Sequence, residues 1–87
     1  MSNINVVFSK AGKTVMMQTN SKMMFAELAL KYSQKVGIDL KADQIKFIFN
    51  SMEIKTDSCR ELEEIGINNM ARIDVVVGKD VIGAVKF

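Results

Sequence analysis

Few residues in this chain could do chemistry, and their spacing is wrong for it. Gly12-Lys13-Thr14 looks like the end of a phosphate-binding loop, in which backbone N–H groups and a lysine cradle phosphate oxygens. That loop needs a first glycine at position 7, where the chain has Val7, so a hairpin turn is the plainer reading. Glu61, Glu63 and Glu64 form a carboxylate cluster that reads better as the solvated face of a short helix. Cys59 could act as a nucleophile only beside a base, and the chain has no histidine, the commonest base and metal ligand. One cysteine cannot build a zinc or iron–sulfur site. No catalytic residue, metal or cofactor is therefore expected, and an enzyme is not the favoured reading.

Composition narrows the remaining classes. Eighty-seven residues make one domain, with 48% hydrophobic and 25% charged content, as in an ordinary globular protein. A net charge of +2 from scattered lysines gives no reason to expect nucleic acid or an acidic membrane as partner. No run approaches the roughly 20 apolar residues of a membrane span. Residues Met1 to Lys10 lack the basic start and apolar run of a secretory leader, and a lone cysteine suits a reducing compartment. An intracellular monomer, cytoplasmic or nuclear, is the expectation. The seven methionines and the absence of proline have no functional reading.

The elements that must position any site are organised by Asn20 to Gly37, the one long helical stretch. Phe25, Leu28, Ala29, Tyr32 and Val36 form a single apolar stripe on a 3.6-residue period. Asn20 or Ser21 can cap its start, and Gly37 can close its end in a left-handed conformation. Before it, Ile4 to Phe8 and Val15 to Thr19 alternate as strands joined by a turn over Ser9 to Gly12. Val15 and Met17 are placed inward, and Met16 and Gln18 outward. Val7 is apolar on the opposite phase to Ile4, Val6 and Phe8, which leaves the inward face of the first strand open. After the helix come a polar connection, a strand at Ile45 to Phe49, a turn at Asn50-Ser51 and a short return strand at Met52 to Ile54. One helical turn at Arg60 to Glu64 follows, with Asp57 or Ser58 as cap, and then a last strand at Arg72 to Val77. Strands around one long helix predict an α+β plan with the helix packed on one face of a mixed sheet of four to five strands.

From residue 44 onward the chain resembles ubiquitin-like proteins. Gln44-Ile45-Lys46-Phe47-Ile48-Phe49-Asn50-Ser51-Met52-Glu53-Ile54 is similar to that family's third-strand segment. Glu61-Leu62-Glu63-Glu64-Ile65-Gly66-Ile67 resembles its short helical turn, particularly in the SUMO branch, and Arg72 to Val77 its last strand. Gly12-Lys13-Thr14 matches the first hairpin and Lys35-Val36-Gly37-Ile38 the helix end. The resemblance spans residues 3–78 and implies a β-grasp domain followed by a flexible tail over 79–87. It also implies other proteins as partners: receptors with ubiquitin- or SUMO-binding motifs, and conjugation enzymes if the chain is a modifier.

Three departures from the family pattern bear on function. The connection after the helix is about two residues longer and lacks the family's prolines. Met52 and the neighbourhood of Asn69 stand where ubiquitin's main chain-linking lysines would be. The tail has no Gly-Gly, so conjugation to lysines would require trimming after Gly83, and a sulfur-carrier role, which also needs Gly-Gly, is disfavoured.

Two docking surfaces are implied. Strand phase puts Ile48 and Val76 on the face away from the helix; the resemblance implies that their strands are neighbours, with the two residues side by side where ubiquitin has its apolar patch. Lys46 and Arg72 would flank them, and Lys10 would replace the patch's leucine. The second is the groove between the second strand and the helix, where SUMO-like proteins accept an added peptide strand; Val15, Met16, Met17, Lys22, Phe25 and Lys31 would line or approach it. The expected function is a non-catalytic protein-interaction module; the alternative is a ubiquitin- or SUMO-like modifier processed near Gly83.

Overall fold

The computed structural model describes residues 3–78. The predicted tail over 79–87, with Gly83, lies outside the described residues. Strands β1 (Asn3–Lys10) and β2 (Lys13–Asn20) form a hairpin, followed by α1 (Phe25–Val36), β3 (Ile45–Phe49), β4 (Met52–Ile54), the short α2 (Leu62–Ile65) and β5 (Ala71–Val77). The strands form one sheet in the order β2-β1-β5-β3-β4. The central pair, β1 and β5, is parallel and the other pairs are antiparallel. The chain's first and last strands thus meet in the middle, and everything between them is one long crossover.

Alternation decides which side chains enter the core. Ile4, Val6 and Phe8 of β1, Phe47 and Phe49 of β3, and Ile73 and Val75 of β5 all point to the helix and are buried. The stripe on α1 meets them with Phe25, Leu28, Ala29 and Tyr32. Phe8 stacks on Tyr32 with ring centroids 4.3 Å apart, and Phe25 meets Phe47 edge to face at 5.3 Å. Aromatic contacts of this kind tie sheet to helix beyond simple area burial.

The first hairpin is tighter than the predicted four-residue turn. Only Ala11 and Gly12 lie outside the ladder, both at positive φ (51° and 81°), as a two-residue primed turn requires. Lys10 and Lys13 are therefore strand residues facing each other.

The helix starts later than its sequence suggests. Asn20 caps a turn instead: its side-chain oxygen accepts from the Lys22 N–H (2.9 Å) and its carbonyl from the Met23 N–H (3.1 Å). The free N–H groups of Phe25 and Ala26 go to the carbonyls of Arg60 and Ser58, both at 2.9 Å. The exchange is mutual, since Leu62 and Glu63 at the start of α2 donate to the carbonyls of Met23 and Ser21. Each helix start is satisfied by backbone from the other's approach segment. The short helix likewise begins at Leu62, not Arg60. Its cap is Glu61, whose N–H donates to the Glu64 carboxylate at 2.9 Å, and not Asp57 or Ser58.

In the connection after α1, Asp39 organises the turn. Its carboxylate accepts from Lys41 (2.9 Å) and Ala42 (2.8 Å) N–H groups, and these bonds hold its pKa below the ordinary 3.8.

Candidate functional site

Among the described residues, neither helix covers the face of the sheet turned away from α1. Strand alternation places Met16 on β2, Val7 and Ser9 on β1, Arg72, Asp74 and Val76 on β5, Lys46 and Ile48 on β3, and Glu53 on β4. Register fixes who meets whom. Lys46 stands opposite Val76, and Ile48 opposite Asp74 on one side and Glu53 on the other. Ile48 and Val76 are therefore diagonal neighbours rather than a directly opposed pair, still within reach of one apolar contact.

Arg72 is not at the rim. It stands on a central strand beside Val7, and its guanidinium donates to Ser9 Oγ at 3.2 Å and lies 3.5 Å from the Asp74 carboxylate. This exposed pair lies along the central strand β5, with apolar residues of the face on both sides of it. Half-buried Ile48 and Val76 lie to one side; Val7 and Met16, directly opposite each other, lie to the other. Met16 is 52% exposed. Sequence reading placed Met16 outward yet assigned it to the groove, and missed Val7 as a face residue. The parallel pairing of β1 with β5, which brings both beside Arg72, has no local sequence signal.

Lys10 does not join the patch. With β1 continuing to residue 10, Lys10 alternates in phase with Phe8 and belongs to the helix side. There it lines a cavity of about 180 Å³ with Lys13, Val15, Tyr32 and Val36. The longer predicted turn had concealed this phase.

The groove between β2 and α1 is also reshaped. Val15 and Met17 face the helix and are partly buried against the core, while Met16 is on the opposite face. Phe25 is fully buried and offers no surface. Lys22 stands in the turn before the helix, with its ammonium 2.6 Å from the Glu63 carboxylate. That bond raises the Lys22 pKa above 10.5 and lowers that of Glu63 below 4.5. Lys31 is exposed on α1. What remains of a groove is the edge of β2, which pairs only with β1 among the described residues, floored by Val15 and Met17.

Among the described residues no three His, Cys, Asp or Glu side chains converge as a metal site, and no helix is long and apolar enough to cross a membrane. Cys59 is exposed, with its sulfur 3.8 Å from the Asp57 carbonyl.

A five-stranded mixed sheet with first and last strands parallel at its centre and one long helix across it is the β-grasp architecture of ubiquitin-like proteins. Solved structures agree. The ubiquitin-like domain of an Arabidopsis thaliana protein superposes with a TM-score of 0.76 at 18% identity, covering 88% of this chain and 79% of that one. The N-terminal ubiquitin-like domain of the 4931431F19Rik protein gives 0.71 at 18% identity, with coverage of 88% and 77%. A designed protein based on ubiquitin gives 0.70 at 18% identity, with coverage of 86% and 88%. At such identity these matches speak for the fold. The family model described as Rad60-SLD, "Ubiquitin-2 like Rad60 SUMO-like", matches residues 4–77, and the chain belongs to that family. No curated protein matched the chain.

Proposed function

We propose that this ubiquitin-like domain is a non-catalytic module that docks partner proteins on the open sheet face, around Ile48 and Val76. The observation that carries this reading is the face itself. Four apolar side chains, Ile48, Val76, Val7 and Met16, stand on a surface that neither helix covers, around the Arg72–Asp74 pair. Scattered exposed apolar residues need no explanation, but a cluster on one face with charged residues beside it has the make-up of a docking surface. Lys46 and Glu53 border the Ile48 side with opposite charges. Such a border favours orientation of a partner over attraction to one sign of charge. The exposed Cys59 thiol fits a reducing, intracellular setting for this role.

The test is affinity capture with the full chain and two variants. Ile48→Ala should lose captured partners. Leu30→Ala, at an exposed position on the helix, should keep them. Equal capture by both would remove the sheet face from consideration.

A second surface is supported by the free edge of β2. Its eight residues present unpaired backbone groups on one side among the described residues, which suits addition of an extended peptide strand. A partner using it would depend on Val15 and Met17 and be indifferent to Ile48→Ala.

A further inference from the structure

Strand β4 forms the edge of the sheet opposite β2 and pairs only with β3 among the described residues. The turn before it has Asn50 and Ser51 at positive φ (50° and 66°), so Phe49 and Met52, which close it, form a hydrogen-bonded pair. Pairing alternates from there, and the N–H and C=O of Glu53 point away from β3, off the edge of the sheet. Such an edge is a template for another strand. Proteins often blunt it with charge, and a charge of one sign turns a second copy away. Here the charges are of both signs. Glu53 and Lys55 stand two residues apart, both exposed and neither in an ion pair among the described residues. In an antiparallel pair of β4 strands centred on Ile54, Glu53 of each copy faces Lys55 of the other. Centred on Glu53, like charges would meet. Charge thus selects one register, and in it the edge complements itself.

A cavity of about 370 Å³ lies along the same edge, with Phe49, Ile54 and Ile65 as its apolar lining and Asp57 and Ser58 beside them. Met52 also borders it and is 61% exposed, the most exposed large apolar side chain among the described residues. Met52 is in phase with Ile54 on the helix side of the sheet. In the register centred on Ile54 it comes opposite Thr56 of the other copy, over that copy's cavity. An unbranched thioether adapts well to an irregular hollow of this kind.

We propose that two copies of this chain associate through β4, antiparallel and centred on Ile54, with Glu53 and Lys55 paired across the two-fold axis and Met52 of each copy seated over the other's cavity. The contact is isologous and closes at two copies. The Lys55 carbonyl accepts from the Ser58 N–H at 3.1 Å, a turn that ends the strand and keeps the contact short. The monomer expected from the sequence is then the dilute form. Both open sheet faces come to lie on one side of a continuous sheet. This inference does not rest on docking at that face.

The test is sedimentation equilibrium of the 87-residue chain from micromolar to millimolar concentration, beside Met52→Ala, Glu53→Lys and Lys55→Glu. The expected mass rises with concentration from 9.7 kDa toward twice that value and no further. Met52→Ala should weaken association. Glu53→Lys sets positive against positive and Lys55→Glu negative against negative, so each alone should associate about ten-fold more weakly. An equimolar mixture of these two variants restores opposite signs and should dimerise as the wild type does, which also shows that both are folded. A wild type that keeps the mass of one chain throughout would overturn the proposal. So would a dimer indifferent to all three variants, or growth beyond two copies, which would pair β4 with the β2 edge of the next molecule.

Discussion

Ile48 is the residue on which the functional reading turns. It stands half-buried on the outer face between Asp74 and Glu53, with neither α1 nor α2 above it. Truncation to alanine should weaken partner binding by about 1–3 kcal/mol, the size of a binding hot spot. The same change should move the melting temperature little, because the side chain is outside the core. A calorimetric scan beside a binding isotherm separates the two effects. Lys22 and Glu63 form the other pair worth testing singly. The Glu63 pKa is lowered in the folded state, so its contribution to stability is present above the ordinary 4.5 and fades as pH falls through the lower folded value. Lys22 is raised, so its contribution is present below 10.5 and fades only as pH rises through the higher folded value. Between these limits the pair is fully charged and, being exposed, sensitive to salt. Glu63→Gln should flatten the acid limb of a stability–pH profile and remove the salt dependence of the difference; an unchanged acid limb would show that the pair contributes nothing.

Among the elements, α1 shows what a sequence reveals and what it hides. Its stripe was legible because Phe25, Leu28, Ala29 and Tyr32 recur on the helical period, and all four are buried. Its start was not, because the capping carbonyls of Ser58 and Arg60 are more than thirty residues away in sequence. Its end was legible again, since Gly37 adopts φ 76°. An alanine there meets no atom within 4 Å, so Gly37→Ala carries only the left-handed backbone cost, about 1–2 kcal/mol, readable by urea denaturation. The phases of β3 and β5 were legible because Lys46 and Asp74 mark the outer face, although Ile48 and Val76 are apolar on it. Lys10 was misplaced for the opposite reason. A lysine at the end of a strand carries no apolar signal, and the two-residue turn that sets its phase uses Ala11 at φ 51°, a residue seldom found there.

At the scale of the whole molecule, one aromatic assembly joins the two layers. Phe8 on the central strand β1 stacks on Tyr32 and meets Phe47 edge to face, with all three buried. Phe8→Ala should cost about 3–5 kcal/mol, a large share of the 5–15 kcal/mol that holds a domain together. Thermal unfolding followed by circular dichroism would show it as a large drop in melting temperature, about 4–8 °C per kcal/mol for a domain of this size. The same central pairing of β1 with β5 builds the open face, and no local pattern announces it. Order of elements, core stripe and the outward phase of Ile48 and Val76 could be read from spacing, whereas their diagonal placement comes from the register of β3 on β5. The contribution of Val7 and Met16, the central place of Arg72 and the loss of Phe25 to the core all follow from topology. The claim that joins these scales is non-covalent docking on the sheet face. Its most direct measurement is capture from source cells by the full chain and by Ile48→Ala, each washed under native and then denaturing conditions. The account predicts partners retained through native washing by the wild type, lost by Ile48→Ala, and released on denaturation. Partners that survive denaturation would show a covalent modifier, and capture indifferent to Ile48→Ala would place the docking surface elsewhere.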